Sequence, residues 1–241
     1  MRKSIAAAVI AASAATSACG HDRSEGPGPT VSRNYQVGNF QVIEVAGPYD
    51  VEVRTGANAS VSARGSEKLL ERTEVEVRGD KLIIHPREHN GWFHFGWSNS
   101  GKASFTVTVP MLNGATIAGS GDVRVDRVQG DHFEGTVAGS GGIVVGNMDV
   151  QSLKLAIAGS GGVKGAGKAK SAVYDIAGSG GIDGAGIVAE QAKISIAGSG
   201  DVKAHATGTA DVSIMGSGDV DVSGGAKCNV SKAGSGNVRC S

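Results

Sequence analysis

The sequence predicts an all-β protein whose C-terminal half is a parallel β-helix, a solenoid of coils about 18–20 residues long. Three observations carry this. The tripeptide Gly-Ser-Gly recurs around Ser120, Ser140, Ser160, Ser179, Ser199, Ser217 and Ser235, at spacings of 20, 20, 19, 20, 18 and 18 residues. Three residues after each serine stands a β-branched residue: Val123, Ile143, Val163, Ile182, Val202, Val220 and Val238. Three residues before it stand Ile117, Val137, Ile157, Ile176, Ile196 and Ile214, then Lys232 in the last copy. Odd offsets share one face of a strand, and β-branched residues suit a half-buried pleated surface. Stacked about 4.8 Å apart, such coils place Ile on Ile and Val on Val in continuous internal ladders. A propeller blade needs about twice this length, and a leucine-rich repeat needs leucines and an asparagine ladder that are absent here.

Residues 1–18 read as a secretory signal. Arg2 and Lys3 form a basic start, "SIAAAVIAASAA" is apolar but short, and "TSAC" ends in small residues before Cys19. This resembles a bacterial lipobox, with Thr16 where leucine is usual, and implies a lipid on Cys19; the alternative is ordinary cleavage near Ala18. One lipid on a folded body means anchoring to a membrane rather than spanning it. Gly20 after the cysteine resembles Gram-negative signals for the outer membrane, which gives an outer-membrane lipoprotein, periplasmic or surface-exposed. Residues 19–34 are polar, hold two prolines and show no apolar period, as a flexible tether would.

Residues 35–110 read as a strand-rich region. "FQVIEVA", "YDVEVRT", "ASVSARG", "TEVEVRG", "DKLIIH" and "ASFTVTV" are short alternating runs divided by turn residues. "SEKLLER" from Ser66 is the one helical stretch, opened by a serine cap. This half is expected to pack on, or continue into, the first coils and to cover their open edge.

Residues 111–241 hold the seven repeats. In each, Gly-Ser-Gly supplies a sharp backbone corner, and in three copies a further glycine (Gly142, Gly162, Gly181) stands where the others carry Asp122, Asp201, Asp219 or Asn237. The last coil needs a cap. Cys228 and Cys240 fall at inward-type offsets and are expected to form a disulfide there, in an oxidising compartment, rather than two free thiols.

The order "F-x-x-I-x-V-x-G-x-Y-D-V-E-V", "S-E-K-L-L", "V-x-G-D-K-L-I-I", "F-T-V-T-V-P" and then repeated "I-A-G-S-G-D-V" resembles the putative autotransporter adhesin, head GIN domain family. The likeness covers about residues 35–241, with "VTVPMLNGATIAGSGDV" its most specific part. It implies a right-handed β-helix in a bacterial envelope protein and carries over no activity.

Several constellations could hold chemistry. A calcium array of the nine-residue type does not fit, since the period is twice as long and three glycines interrupt the aspartate column. No Gly-Lys-Ser/Thr phosphate loop exists. "HPREH", His85 to His89, satisfies the inverted zinc-peptidase pattern, but that chemistry needs a helix, whereas here a strand precedes it and Pro86 interrupts it. Incidental metal binding with His94 is the remaining reading; no metal and no cofactor is expected. "GWFHFGW" concentrates four of the ten aromatics, Trp92, Phe93, Phe95 and Trp97, which serve either as a recognition loop or as a lid folded onto the body. Carbohydrate-cleaving β-helices set their acid and base on long loops, which these coils lack; Asp219 and Asp221 read as a solvated face. Formal net charge is zero, or −2 once Arg2 and Lys3 are removed, so nothing attracts nucleic acid.

These readings converge on a non-catalytic envelope or surface binding protein, adhesin-like, with a glycan or protein ligand. A self-associating or cell-wall-binding structural component is the alternative, and a polysaccharide-active enzyme the third.

Overall fold

The computed structural model describes residues 28–87 and 101–241. The N-terminal strands are β1 (Thr30–Tyr35), β2 (Val42–Ala46), β3 (Asp50–Thr55), β4 (Ser60–Ser66), β5 (Thr73–Arg78), β6 (Lys81–Pro86) and β7 (Ala103–Val109), with helix α1 (Glu67–Glu71) between β4 and β5. The repeats follow as β8 (Gly114–Gly119), β9 (Asp122–Gly139), β10 (Gly142–Gly159), β11 (Gly162–Gly178), β12 (Gly181–Gly198) and β13 (Asp201–Gly216), closed by β14 (Val220–Ser223), β15 (Lys227–Gly234) and β16 (Val238–Cys240).

Each of β9 to β13 runs around one whole coil, and neighbours pair in parallel along nearly their full length. The register puts Val137 on Ile157, Ile157 on Ile176, Ile176 on Ile196 and Ile196 on Ile214. A second ladder stacks Val123, Ile143, Val163, Ile182, Val202 and Val220. Both ladders are buried throughout. At roughly 1.5–3 kcal/mol per buried Val or Ile, they are the main source of the stack's stability.

The N-terminal half continues the same two faces as one 16-stranded sheet, in a different chain order. β2 lies on β8, and β3 on β9. The next layer is β6 on β2 and β7 on β3, both parallel. Beyond it the chain reverses: β4 is antiparallel to β7, β5 to β6, and β1 closes the edge on β4. The corner between the two faces is made by α1, by Gly47-Pro48-Tyr49 and then by successive Gly-Ser-Gly turns, while the segment joining β6 to β7 lies largely outside the described residues. Asp126 ties the layers together, its carboxylate accepting the Thr55 N–H at 3.0 and 3.1 Å and the Thr55 hydroxyl at 3.0 Å.

Two expectations need correction. The tether expected through residue 34 ends before Thr30, because β1 pairs with β4 from Thr30↔Ser66 to Tyr35↔Val61. Its period-two pattern, with Val31 and Tyr35 half-buried against the core, is short and was hidden by the polar residues between them. Ser66 stands at the helix N-cap, but its side chain makes no capping bond. Its backbone N–H instead donates to the Lys102 carbonyl. Leu69 and Leu70 pack beneath the helix, so burial rather than capping holds this single turn.

At the other end Cys228 and Cys240 are disulfide-bonded, 6.7 Å apart at Cα. They continue the Ala210 and Val222 positions of the coil below and join two faces of the last coil. Lys232, which replaces the ladder isoleucine above Ile214, turns back and donates to the Gly236 carbonyl at 2.7 Å.

Candidate functional site

The corner itself comes first, because its repetition invites a functional reading. Gly139 lies at φ +131°, in the region that disfavours side chains, and a Cβ there would strike the Gly119 carbonyl. A Cβ on Gly141 would strike the Gly121 carbonyl. The corner N–H groups continue the ladder, with Ser140 N donating to Gly119 O at 3.0 Å and Ser160 N to Gly139 O at 2.9 Å. Only the serine side chain is free of the stack, and all seven serines are exposed. Gly-Ser-Gly is thus an architectural corner that leaves a row of hydroxyls at strand spacing.

The position two residues after each serine behaves differently. Asp50, Asp201 and Asp219 use Oδ1 to accept the backbone N–H of the next layer, from Asp122 at 3.2 Å, Asp219 at 3.0 Å and Asn237 at 2.8 Å. In the central coils Gly142, Gly162 and Gly181 hold this place, and their N–H groups donate to the carbonyls of Gly121, Gly141 and Gly161. None has a left-handed φ, and each is the first residue of its strand rather than part of the turn. A Cβ on Gly162 would meet nothing closer than Gly181 O at 3.9 Å, and one on Gly181 nothing closer than Asp201 O at 3.8 Å. At Gly142 the nearest atom is the mobile end of Asp122, Oδ1 at 3.0 Å.

The three glycines pave an open trough of about 440 Å³ on the outer face of β10 to β12. Val144, Lys164, Asp183 and Lys203 line it. The Lys164 ammonium donates to Asp183 Oδ2 at 2.9 Å. That contact first, and the Lys203 charge among lesser causes, hold the Asp183 carboxyl below its usual range. Val144 is exposed on this face.

Other candidates resolve into structure. His85 sits in strand β6, its Nε2 3.1 Å from Glu76 Oε1 and its Nδ1 2.9 Å from Pro86 O, so both ring nitrogens already have partners. The strand geometry denies the helix that the zinc pattern requires; Glu88, His89 and His94 lie outside the described residues. Among the described residues no group of three or more His, Cys, Asp or Glu could hold a metal ion. His205 Nδ1 is 3.1 Å from Ser223 Oγ, but that hydroxyl donates to Ala204 O at 3.2 Å, which makes the imidazole its donor and not its base.

Trp92, Phe93, Phe95 and Trp97 lie outside the described residues, as does Cys19. The structure does place the two feet of the aromatic segment: it leaves the end of β6 and enters β7, at a corner that other layers cross with two or three residues.

Residues 39–226 match the family described as putative auto-transporter adhesin, head GIN domain. The chain belongs to this family. Membership in this adhesin-head family points to a surface or envelope location and to a role other than catalysis. Solved structures share the fold. A putative adhesin from Bacteroides fragilis has a TM-score of 0.78 at 22% identity, over 88% of this chain and 97% of its own. A putative lipid binding protein from Parabacteroides distasonis has a TM-score of 0.70 at 24% identity, over 90% of this chain and 98% of its own. A putative adhesin from Parabacteroides merdae has a TM-score of 0.68 at 19% identity, over 90% and 98%. No curated protein matches the chain.

Proposed function

We propose that this adhesin-head chain is a non-catalytic binding protein of the bacterial envelope, held at the outer membrane by a lipid on Cys19, with the β-helix as a rigid support for recognition. The observation that carries the reading is the corner between β6 and β7. Every other parallel layer crosses this edge with two or three residues between its strands, whereas here the chain spends residues 87–102. A long excursion at a corner the fold can close with Gly-Ser-Gly serves something other than the fold. Trp92, Phe93, Phe95 and Trp97 within it are the residue types that anchor binding surfaces. The ligand on this reading is a glycan or a protein.

The test replaces residues 88–100 with Gly-Ser-Gly and measures attachment of purified protein to whole cells and to a glycan array. The expected outcome is an unchanged far-UV spectrum and melting temperature with attachment lost. Attachment that survives the replacement overturns the reading.

A further inference from the structure

The coil from Lys227 to Ser241 is held to the stack differently from those below it. No residue of β15 or β16 is fully buried, and within these two strands only Cys228 and Val238 are half-buried. Val230 continues the ladder above Val212 but is 50% exposed, and Lys232 stands above Ile214 with its ammonium turned back onto its own coil. The apolar burial that holds the other coils is thus nearly missing here. What remains is the ladder of β15 on β13, the short ladder of β16 on β14, side-chain bonds from Asn229 to Asp211 and from Asn237 to Asp219, and the Cys228–Cys240 bond. Beneath this coil lies an apolar end. Ala210, Val212 and Ile214 on β13 and Val220 and Val222 on β14 are all buried, and the coil pairs directly over them.

We propose that residues 227–241 form a disulfide-locked cap, and that a dithiol which opens Cys228–Cys240 converts the protein from a monomer into a dimer joined at the uncovered ends of β13 and β14. A thiolate of the dithiol attacks one sulfur, and the other leaves as a thiolate and takes up a proton. The second thiol of the dithiol then displaces the mixed disulfide, so that two protein thiols form and the dithiol becomes a disulfide. Cys240 is exposed and Cys228 half-buried, which leaves the bond within reach of the reagent. Without the covalent tie the coil keeps its ladder hydrogen bonds but little burial, and it frays. Fraying uncovers an edge of unpaired N–H and C=O groups between apolar side chains, which is a template for another strand. The occupant that fits is the same end of a second copy. Coil on coil is already the contact that joins each layer to the next, and a two-fold axis that lays β13 against its equivalent closes both edges at once. The closed cap opposes that contact. Residues 227–241 include Lys227, Lys232 and Arg239 and no Asp or Glu, so two capped ends meet with like charge, whereas β13 carries Lys203 beside Asp201 and Asp211. This device uses none of the residues of the aromatic segment.

The experiment uses the full chain carrying Cys19→Ser, which removes the remaining cysteine. Oxidised and dithiothreitol-treated samples are compared by analytical ultracentrifugation from about 5 to 200 µM, with amide exchange recorded on both. The oxidised chain is expected to sediment as a monomer throughout. The reduced chain is expected to double its mass as concentration rises, with faster exchange over β15 and β16 and with β13 protected in the dimer, and reoxidation should restore the monomer. Cys228→Ser/Cys240→Ser without reductant should behave as the reduced chain; if that variant does not fold, the reductant comparison decides alone. The proposal is overturned if the reduced chain stays monomeric while β15 and β16 fray, if exchange over β15 and β16 is unchanged on reduction, or if the oxidised chain dimerises equally. Loss of protection through β9 to β12 on reduction, which would make any association that of an unfolded chain, overturns it as well.

Discussion

Gly161 and Gly162 are adjacent in the chain and have opposite surroundings. A Cβ on Gly161 would strike the Gly141 carbonyl and stand 2.6 Å from Val137 Cγ1, whereas one on Gly162 would have no neighbour within 3.8 Å. The first glycine is demanded by the stack, and the second is not. A repeated motif thus divides into a glycine that the stack demands and a glycine that it only tolerates.

Tyr174 tests the interior. Its ring is fully buried, its hydroxyl has no partner among the described residues, and Gly184 opposite leaves room for it, a Cβ there falling 2.9 Å from Tyr174 Oη. An unsatisfied buried hydroxyl costs about 1–3 kcal/mol. Tyr174→Phe is expected to raise the urea-unfolding free energy by about 1 kcal/mol.

The same residue sets an alkaline limit. Burial pushes the Tyr174 phenol well above its ordinary value, and burial likewise raises Tyr49 and Tyr35. The folded chain then keeps protons that the unfolded chain releases above about pH 10, so this stability is whole below pH 10 and declines as pH rises. A plot of unfolding free energy against pH above 10 should fall less steeply for Tyr174→Phe than for the unaltered chain.

The terminal disulfide should act locally, since coils touch only their neighbours. Closing a loop across the 12-residue separation of Cys228 and Cys240 contributes roughly 3 kcal/mol in the chain-entropy view. In reductant, amide exchange is expected to quicken over β15 and β16 while β9 to β12 keep their protection. Uniform loss across all coils would show that the stack unfolds as a unit instead.

Asp126 is the joint between the N-terminal layers and the first full coil. Asp126→Ala removes the acceptor of both the Thr55 N–H and the Thr55 hydroxyl and should cost about 1–2 kcal/mol in urea unfolding. Asp126→Asn, which keeps one acceptor oxygen, should recover part of that loss.

Much of this architecture was legible beforehand. The period exposed the ladders because Ile157, Ile176 and Ile196 repeat in strict alternation with residues that face water. The six N-terminal strands were readable from runs such as Val51-Glu52-Val53. The layer order was not, because β2 and β3 meet β8 and β9 only after the chain has travelled out through β4 and back through β7, a pairing that no local pattern encodes. The corner at Gly47 was hidden because Pro48 and a buried Tyr49 replace the serine and second glycine. The trough was hidden for another reason: Gly161 and Gly162 are the same letter, and only the atoms around each separate the required glycine from the spare one.

That separation is measured most directly by two single substitutions, Gly161→Ala and Gly162→Ala, compared by urea unfolding. Gly161→Ala should destabilise the protein by roughly 1–3 kcal/mol through overpacking against the coil below. Gly162→Ala should stabilise it by about 0.5–1 kcal/mol, the gain from removing glycine's freedom in the unfolded chain. Opposite signs support a corner that belongs to the fold beside a floor that does not. Destabilisation by both would mean that the floor glycines are structural, and would contradict the account.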